Sequence, residues 1–392
     1  MANARSGPLS GIKVLEMGGI GPLPHAGMLL ADLGATVVRV DRTGGRATTV
    51  DGKQTNVSSR GKNLIQLDLK DPEAIEAVLQ MAESFDIFLE GNRPGVTERL
   101  GIGPDDVLAR NPKIVYGRMT GWGQYGLLSP TAGHDMNYIS VAGALRGSGQ
   151  HPDGIPQFPY NLVGDFAGGS MYLVVGVLAA LNEAHMTGKG QVIDAAIVDG
   201  TAHLMAMNYD FRNMIGPHTD YPLNGTLDGK APFYSVYATS DGKYVSVGSI
   251  EPQFFAILIE RTGIDYDPKD EQNVEKWPEL RAKLAAAFVT KTRDEWTDVF
   301  TGTDGCVQPI LTIGEAAQHQ HNVDRQTIQP TADGTGLQPG LAPRFSHHPD
   351  TTPSPIATAG SATRSVLSEF TRVDIDGLIT RGAAVQTEEV TA

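Results

Sequence analysis

Two short stretches carry residue types that could do chemistry. Gly133-His134-Asp135-Met136-Asn137-Tyr138 puts a histidine in a Gly-Asp turn. Gly164-Asp165-Phe166-Ala167-Gly168-Gly169-Ser170 puts an aspartate where a long apolar helix is expected to begin. An imidazole and a carboxylate on opposite sides of a bound molecule make a two-base proton-transfer site. Each residue also has a plainer use. His134, in a loop rich in glycine and proline, can simply be solvated, and Asp165 can be a helix N-cap. As a cap it would have backbone donors and a helix dipole beside it. Those favour the carboxylate form and would also stabilise a developing enolate nearby.

A basic stretch lies upstream. Arg39, Arg42, Arg46, Lys53, Arg60 and Lys62 stand against only Asp41 and Asp51. It begins at the carboxyl end of an expected strand, where open α/β sheets bind ligands. Arg93 and Arg99 follow another strand at the same edge. Arginines suit phosphate geometry, and the alternative is a solvated loop. Downstream, Glu251-Pro252 ends a strand and opens a helix, as a first-turn acid or as a functional one. Met205, Met207 and Met214 suit either an adaptable apolar surface or a core. Cys306 is the one cysteine, expected to be a small buried apolar residue rather than a nucleophile.

The elements that must position these residues alternate. Residues 12–17 (IKVLEM) form an apolar run bounded by glycines, so a buried strand. A turn over residues 18–24 follows, then a helix over 25–33 stopped by Gly34. Residues 36–40 (TVVRV) are a β-branched strand. Asp71-Pro72-Glu73 combines an N-cap acceptor, a first-turn proline and an acid at the positive end of the dipole. The helix it starts leads to a strand at 86–90, and 114–119 gives another. Strand-helix-strand alternation with short connections predicts an α/β domain with a mostly parallel sheet. Residues 191–198 read as a strand and 201–214 as helical. Residues 234–237 and 244–247 pair as a hairpin across Ser240-Asp241-Gly242. Helices follow at 251–252 onward, 277–289 and 292–300. Residues 318–355 read as an extended connector, and 365–370 and 375–381 as short terminal helices.

Composition bounds the function. At 392 residues the chain is long enough for two domains. A net charge of -14 argues against non-specific nucleic-acid or anionic-membrane binding. A single cysteine excludes an internal disulfide and a multi-cysteine zinc site, and fits a cytoplasmic protein. Residues 1–10 lack an apolar signal core, and the run 171–181 is too short to span a bilayer. Gly19-x-Gly21 meets Pro24 where a dinucleotide fingerprint needs its third glycine, so that motif fails.

Taken together, the motifs are similar to one family. The residues that carry it are GPLSGIKVLE (7–16), ADLGA (31–35), EGNRPG (90–95), RMTGWG (118–123), Gly133-His134-Asp135, NLVGD (161–165) and Glu251-Pro252-Gln253. Over nearly its whole length the chain resembles the α-methylacyl-CoA racemases, of the superfamily that also holds the class III CoA-transferases, and is nearest to bacterial members.

The resemblance implies an interlocked homodimer. Residues 1–197 and 338–392 would form a Rossmann-like, CoA-binding α/β domain. Residues 233–317 would form a smaller α+β domain, and 198–232 and 318–337 the linkers. Implied CoA contacts are Arg42, Leu67, Asp68, Leu69, Lys70, Gly91, Asn92, Arg93, Arg99, Gly133, Asp135, Met136, Asn137 and Tyr138. His134 and Asp165 would be the catalytic pair, with Glu251 of a second subunit orienting the histidine. The implied reaction is 1,1-proton transfer on a 2-methylacyl-CoA thioester through an enolate, with no metal and no cofactor beyond the CoA of the substrate. Two rivals stand. A class III CoA-transferase would use Asp165 as nucleophile, but such enzymes generally lack the histidine. A non-catalytic acyl-CoA binding protein would exchange no α-proton.

Overall fold

The computed structural model describes residues 6–44, 49–50, 53–54, 56–147, 156–157, 159–215, 227 and 229–388. Arg46 of the basic stretch lies outside them. The chain divides into two compact units. The first comprises Met1–Ala144, Pro159–Leu204 and Gln320–Ala392, and the second Leu145–Phe158 and Met205–His319.

The first unit is built on a seven-stranded sheet. Its strands are β1 (Lys13–Met17), β2 (Thr36–Arg42), β3 (Lys62–Leu67), β4 (Ile87–Glu90), β5 (Val115–Thr120) and β6 (Val192–Ala196), closed at one edge by the C-terminal strand Ala384–Val385. The order is Ala384–Val385, then β3-β2-β1-β4-β5-β6. All neighbours run parallel except the C-terminal strand, which pairs antiparallel with β3. The order 3-2-1-4-5-6 reverses between β1 and β4, and ligands bind such sheets at that reversal. The parallel sheet expected from the alternation is therefore present.

Successive strand residues point to opposite faces, and both faces are covered, as a parallel sheet requires. Val14, Val37, Ile87 and Leu89 pack with helix α1 (Pro22–Asp32) and the long central helix. Leu15, Val38, Phe88 and Tyr116 pack with helix α2 (Pro72–Ala82) and the terminal helices Thr363–Phe370 and Ile375–Thr380. Asp71 caps α2 as expected, accepting from the N–H groups of Glu73 and Ala74. The helix after β1 starts at Pro22 rather than at residue 25, because Pro22 and Pro24 both fall in its first turn, where the missing N–H costs no bond.

The central helix runs continuously over Leu162–Thr187, 26 residues, and is long and apolar enough to cross a membrane by length and composition alone. The apolar run at 171–181 is thus only part of it. Here that apolarity serves packing: Leu173, Val174, Val177, Ala180, Leu181 and Ala184 are buried against the sheet.

The second unit has a three-stranded antiparallel sheet with Tyr244–Gly248 in the middle. The hairpin read from the sequence is there, Tyr234–Ala238 with Tyr244–Gly248. Helices Pro252–Thr262, Trp277–Phe288 and Arg293–Phe300 pack on it through Phe255, Leu280, Leu284, Phe288 and Trp296. Cys306 is exposed, not buried, at φ 51.

Candidate active site

The carboxyl ends of the first five of the six parallel strands deliver loops to one edge of the sheet. Met17, Arg42, Leu67, Glu90 and Thr120 are the last residues of β1 to β5. Beyond β4 and β5 lies a cavity of about 250 Å³, walled by Asn92, Arg93, Trp122, Thr131, His134 and Tyr138.

His134 is held by its backbone. It is the extended residue before helix α3 (Asp135–Val141). Its N–H donates to Asn137 Oδ1 at 3.0 Å, and the Asn137 N–H donates back to the His134 carbonyl at 2.8 Å. This reciprocal cap leaves the imidazole out of the capping bonds, exposed, and on the cavity wall. Tyr138 donates its hydroxyl to the Gly133 carbonyl, and its ring meets Trp122 edge-on at 4.8 Å. The turn before the histidine is thereby clamped from the buried side.

Asp165 is not an N-cap. A π-helical segment, Leu162–Met171, precedes the α-helical Tyr172–Thr187, and Asp165 sits inside its first turn. π-Bulges inside α-helices are frequent at functional sites. The Asp165 N–H donates to Asp135 Oδ1 at 2.7 Å. Asp165 Oδ2 accepts from Asn161 Nδ2 at 3.1 Å. The expectation that a helix start would favour its carboxylate is overturned. Burial foremost, and then the neighbouring Asp135 charge, raise its pKa above the ordinary aspartate value, against the Asn161 hydrogen bond and the nearby His134. A carboxyl shifted towards neutrality is better matched to moving protons. Nor is the Asp165 N–H available to an enolate, since Asp135 takes it.

Two glycines make this geometry possible. A Cβ on Gly164 would lie 2.3 Å from Asp135 Oδ1 and 2.9 Å from Ile139 Cγ2. Gly21 turns at φ 66 directly beside Asp165, where a Cβ would come 3.3 Å from Oδ2.

The structure gathers part of the expected set. Gly91, Asn92, Arg93, Gly133, His134 and Tyr138 all line the one cavity. Asp135 is buried behind it, and Met136 and Asn137 are exposed on the first turn of α3. Arg99 is exposed at the end of the short helix Val96–Arg99 that follows the 91–95 loop. Arg42 and residues 67–70 lie at the same sheet edge but on β2 and β3, outside this cavity. Leu67 is fully buried against Ala384, and Leu69 packs on the core, so Arg42 and Lys70 present the exposed side chains there. Glu251 is the exposed N-cap of helix Pro252–Thr262 in the second unit. Met207 and Met214 are exposed, not core.

The basic stretch is not one ligand surface. Lys62 is fully buried, 2.6 Å from Glu16 and 2.8 Å from the Pro24 carbonyl. Arg60 is buried on Asp32 at 2.6 Å and on the Pro339 carbonyl at 2.6 Å. Arg39 is buried between Asp41, at 2.9 Å, and the Gly19 carbonyl, at 3.2 Å. These three are structural because buried charges must be paired.

Residue-by-residue reading missed Trp122, Thr131 and Asn161. Asn161 had a usable signal, since it directly precedes the Leu162–Met171 segment and stands four residues before Asp165. Trp122 had none apart from its motif. Among the described residues, no three histidine, cysteine, aspartate or glutamate side chains group to hold a metal.

Comparison with known proteins agrees with this architecture. The chain is 41% identical to the mouse (Mus musculus) alpha-methylacyl-CoA racemase over 343 residues, 87% of each chain. It is 39% identical to the human (Homo sapiens) protein of the same name over 371 residues, 92% of this chain and 93% of that one. It superimposes on the crystal structure of a CAIB/BAIF family protein from Brucella suis with a TM-score of 0.80 at 25% identity, covering 93% of this chain and 100% of that one. Residues 9–361 match CoA-transferase family III, a span that takes in His134, Asp165 and Glu251, and the chain belongs to that family.

Proposed function

We propose that the protein interconverts the two configurations of 2-methylacyl-CoA thioesters. The observation that carries this is the identity of about 40% to racemases along nearly the whole chain, and it is supported by a histidine on the cavity wall near enough to Asp165 to act on its charge. The thioester's CoA moiety follows that edge past Arg42, Lys70, residues 91–93 and Arg99. Its α-carbon comes to lie between His134 and Asp165.

One group removes the α-proton and the other, in its acid form, returns a proton to the opposite face. In one direction neutral His134 is the base and protonated Asp165 the acid, and in the other the roles reverse. The raised pKa of Asp165 makes its protonated form accessible. General acid-base help of this kind contributes roughly 100- to 10,000-fold, so stabilisation of the enolate oxygen must supply much of the rest. With the Asp165 N–H already bonded, the N–H groups of the Asp135 turn are the donors we assign to that oxygen.

We further assign the working form as a homodimer in which Glu251 of a second subunit orients His134. A protein in which Asp165 attacks the thioester as a nucleophile, as a CoA-transferase would, is distinguished by one test. It would transfer CoA to an added carboxylate and leave a trapped aspartyl thioester, with no exchange of the α-proton. Proton exchange from both enantiomers without any acceptor supports racemisation.

A further inference from the structure

Behind the cavity, and outside the acid-base pair, one buried carboxylate is shared between two strands and a loop. Glu90, the last residue of β4, is completely buried. Its oxygens do separate jobs. Oε1 accepts from Arg118 Nε on β5 at 2.8 Å. Oε2 accepts from the backbone N–H of Asn92 at 2.6 Å. Arg118, itself buried, reaches on with Nη1 to Glu98 Oε1 at 2.8 Å and with Nη2 to Thr97 Oγ1 at 3.4 Å. Glu98 and Thr97 belong to the short helix that carries Arg99. One carboxylate–guanidinium pair therefore grips the loop bearing Asn92 and Arg93 at its start and the helix bearing Arg99 at its end.

Burying this pair is expensive. Burial pushes Glu90 above the ordinary glutamate range in spite of the Asn92 and Arg118 hydrogen bonds. Apolar replacements of similar size would hold a sheet together at least as well. A carboxylate bonded to a loop N–H does what an apolar residue cannot: it fixes the direction of the loop backbone. Asn92 and Arg93 wall the cavity, and the loop turns on itself again where the Val96 N–H meets the Arg93 carbonyl at 3.1 Å.

The geometry points to Glu90 and Arg118 as positioning residues that set the 91–99 segment for the nucleotide end of a CoA thioester. This rests on the function proposed above. It assigns the pair to binding and not to proton transfer, so the nucleotide-bearing part of the substrate should feel its loss and the reacting carbon should not.

The test compares Glu90→Gln with wild type on three readouts: the dissociation constant for free CoA, the kinetics of α-proton exchange on a 2-methylacyl-CoA, and exchange on the corresponding 2-methylacyl-pantetheine, which lacks the nucleotide. Free CoA should bind about tenfold more weakly and KM for the full thioester should rise in parallel, the loss of one charge-assisted hydrogen bond. kcat, and kcat/KM for the pantetheine thioester, should stay within about twofold. Glu98→Gln, at a more exposed partner of Arg118, should shift CoA affinity about threefold in the same pattern, and it decides the matter if Glu90→Gln does not fold. Equal losses on both thioesters, or an unchanged CoA affinity, would overturn the assignment. Wild-type protein that binds CoA but exchanges no α-proton would sink the racemase reading while leaving the affinity comparison intact. Wild-type protein that binds no CoA would overturn both.

Discussion

The Asp165 N–H donates to Asp135 Oδ1 at 2.7 Å. The residue next to the histidine is therefore tied to the backbone of Asp165, the second acid-base group we propose, although the two lie thirty residues apart in the chain. The bond joins the α3 turn to the π-helical segment and uses neither the His134 nor the Asp165 side chain.

Gly164→Ala tests that bond. The added methyl would fall 2.3 Å from Asp135 Oδ1, so the two segments must part. A displacement of about 1 Å at a reacting pair costs on the order of 100-fold. Exchange kcat should drop by about that factor with little change in CoA affinity. A variant with wild-type kcat would show that the bond sets nothing.

Asp165→Asn should stabilise the protein at neutral pH while removing activity. The folded pKa of Asp165 is raised above its unfolded value by burial and by Asp135. Between the two values the folded state binds more protons than the unfolded one, so stability falls as pH rises through that window and stays lower above it. The amide carries no charge and escapes this cost. Thermal melts of the two proteins should coincide at low pH, separate as pH rises from the unfolded pKa to the folded one, and stay apart above it, with the asparagine variant melting higher. A variant that melts lower at pH 7 would contradict the sign.

His134→Ala and Asp165→Asn should each reduce racemisation by roughly 100- to 10,000-fold, and should do so asymmetrically. Each variant keeps one base, so each should still wash the α-proton out of one enantiomer, a different one in each case, without inverting it. Deuterium incorporation followed by NMR reads this directly. Loss of exchange from both enantiomers to the same degree in both variants would rule out a division of faces.

Lys62→Met probes the buried pair under α1. The ammonium and the Glu16 carboxylate are both without exposed side-chain surface and are 2.6 Å apart. Burial opposes the charge on each, pushing Glu16 up and Lys62 down, and the partner's charge offsets this only in part. Removing the lysine leaves the buried Glu16 with only the more distant Arg39, 3.8 Å away, a cost of up to about 3–5 kcal/mol. The double variant Glu16→Leu/Lys62→Met should recover most of that in urea denaturation. A double variant no more stable than Lys62→Met would mean that packing, not stranded charge, sets the loss.

That same pair marks where local reading stopped. Runs with a single clear period and strong end signals were legible: the first two strands, the helix capped by Asp71, and the hairpin at 234–248. Strand β3, KNLIQL, was not, because it opens on a lysine and an asparagine that alternation alone assigns to solvent. Lys62 is buried because Glu16, from another strand, neutralises it. Arg60 and Arg39 were likewise counted as a ligand surface, since partners such as Asp32 and Gly19 are distant or indistinct in a linear count.

Asp165 failed for a related reason. Asp165 reads as a helix start, with Gly168 and Gly169 weakening the first turn after it. In the fold they permit close approach: a Cβ on Gly168 would meet Thr201 Oγ1 at 2.5 Å. The helix instead begins at Leu162, and the aspartate becomes an interior, partly buried residue with a raised pKa. His134 and the 91–93 loop, both in glycine-rich segments after strand ends, meet on one cavity because such loops have few places to go in a parallel sheet.

The central claim is reversible proton transfer at the thioester α-carbon, and solvent exchange tests it most directly. (R)- and (S)-2-methyldecanoyl-CoA, incubated separately with the protein in deuterated water, are followed by NMR for the α-proton and by stereochemical analysis of the acyl group. Racemisation predicts α-deuterium in both samples and convergence on one mixture of configurations from either side, with no acceptor acid present. Retention of the α-proton in both samples, with CoA passing to an added free acid, would contradict it.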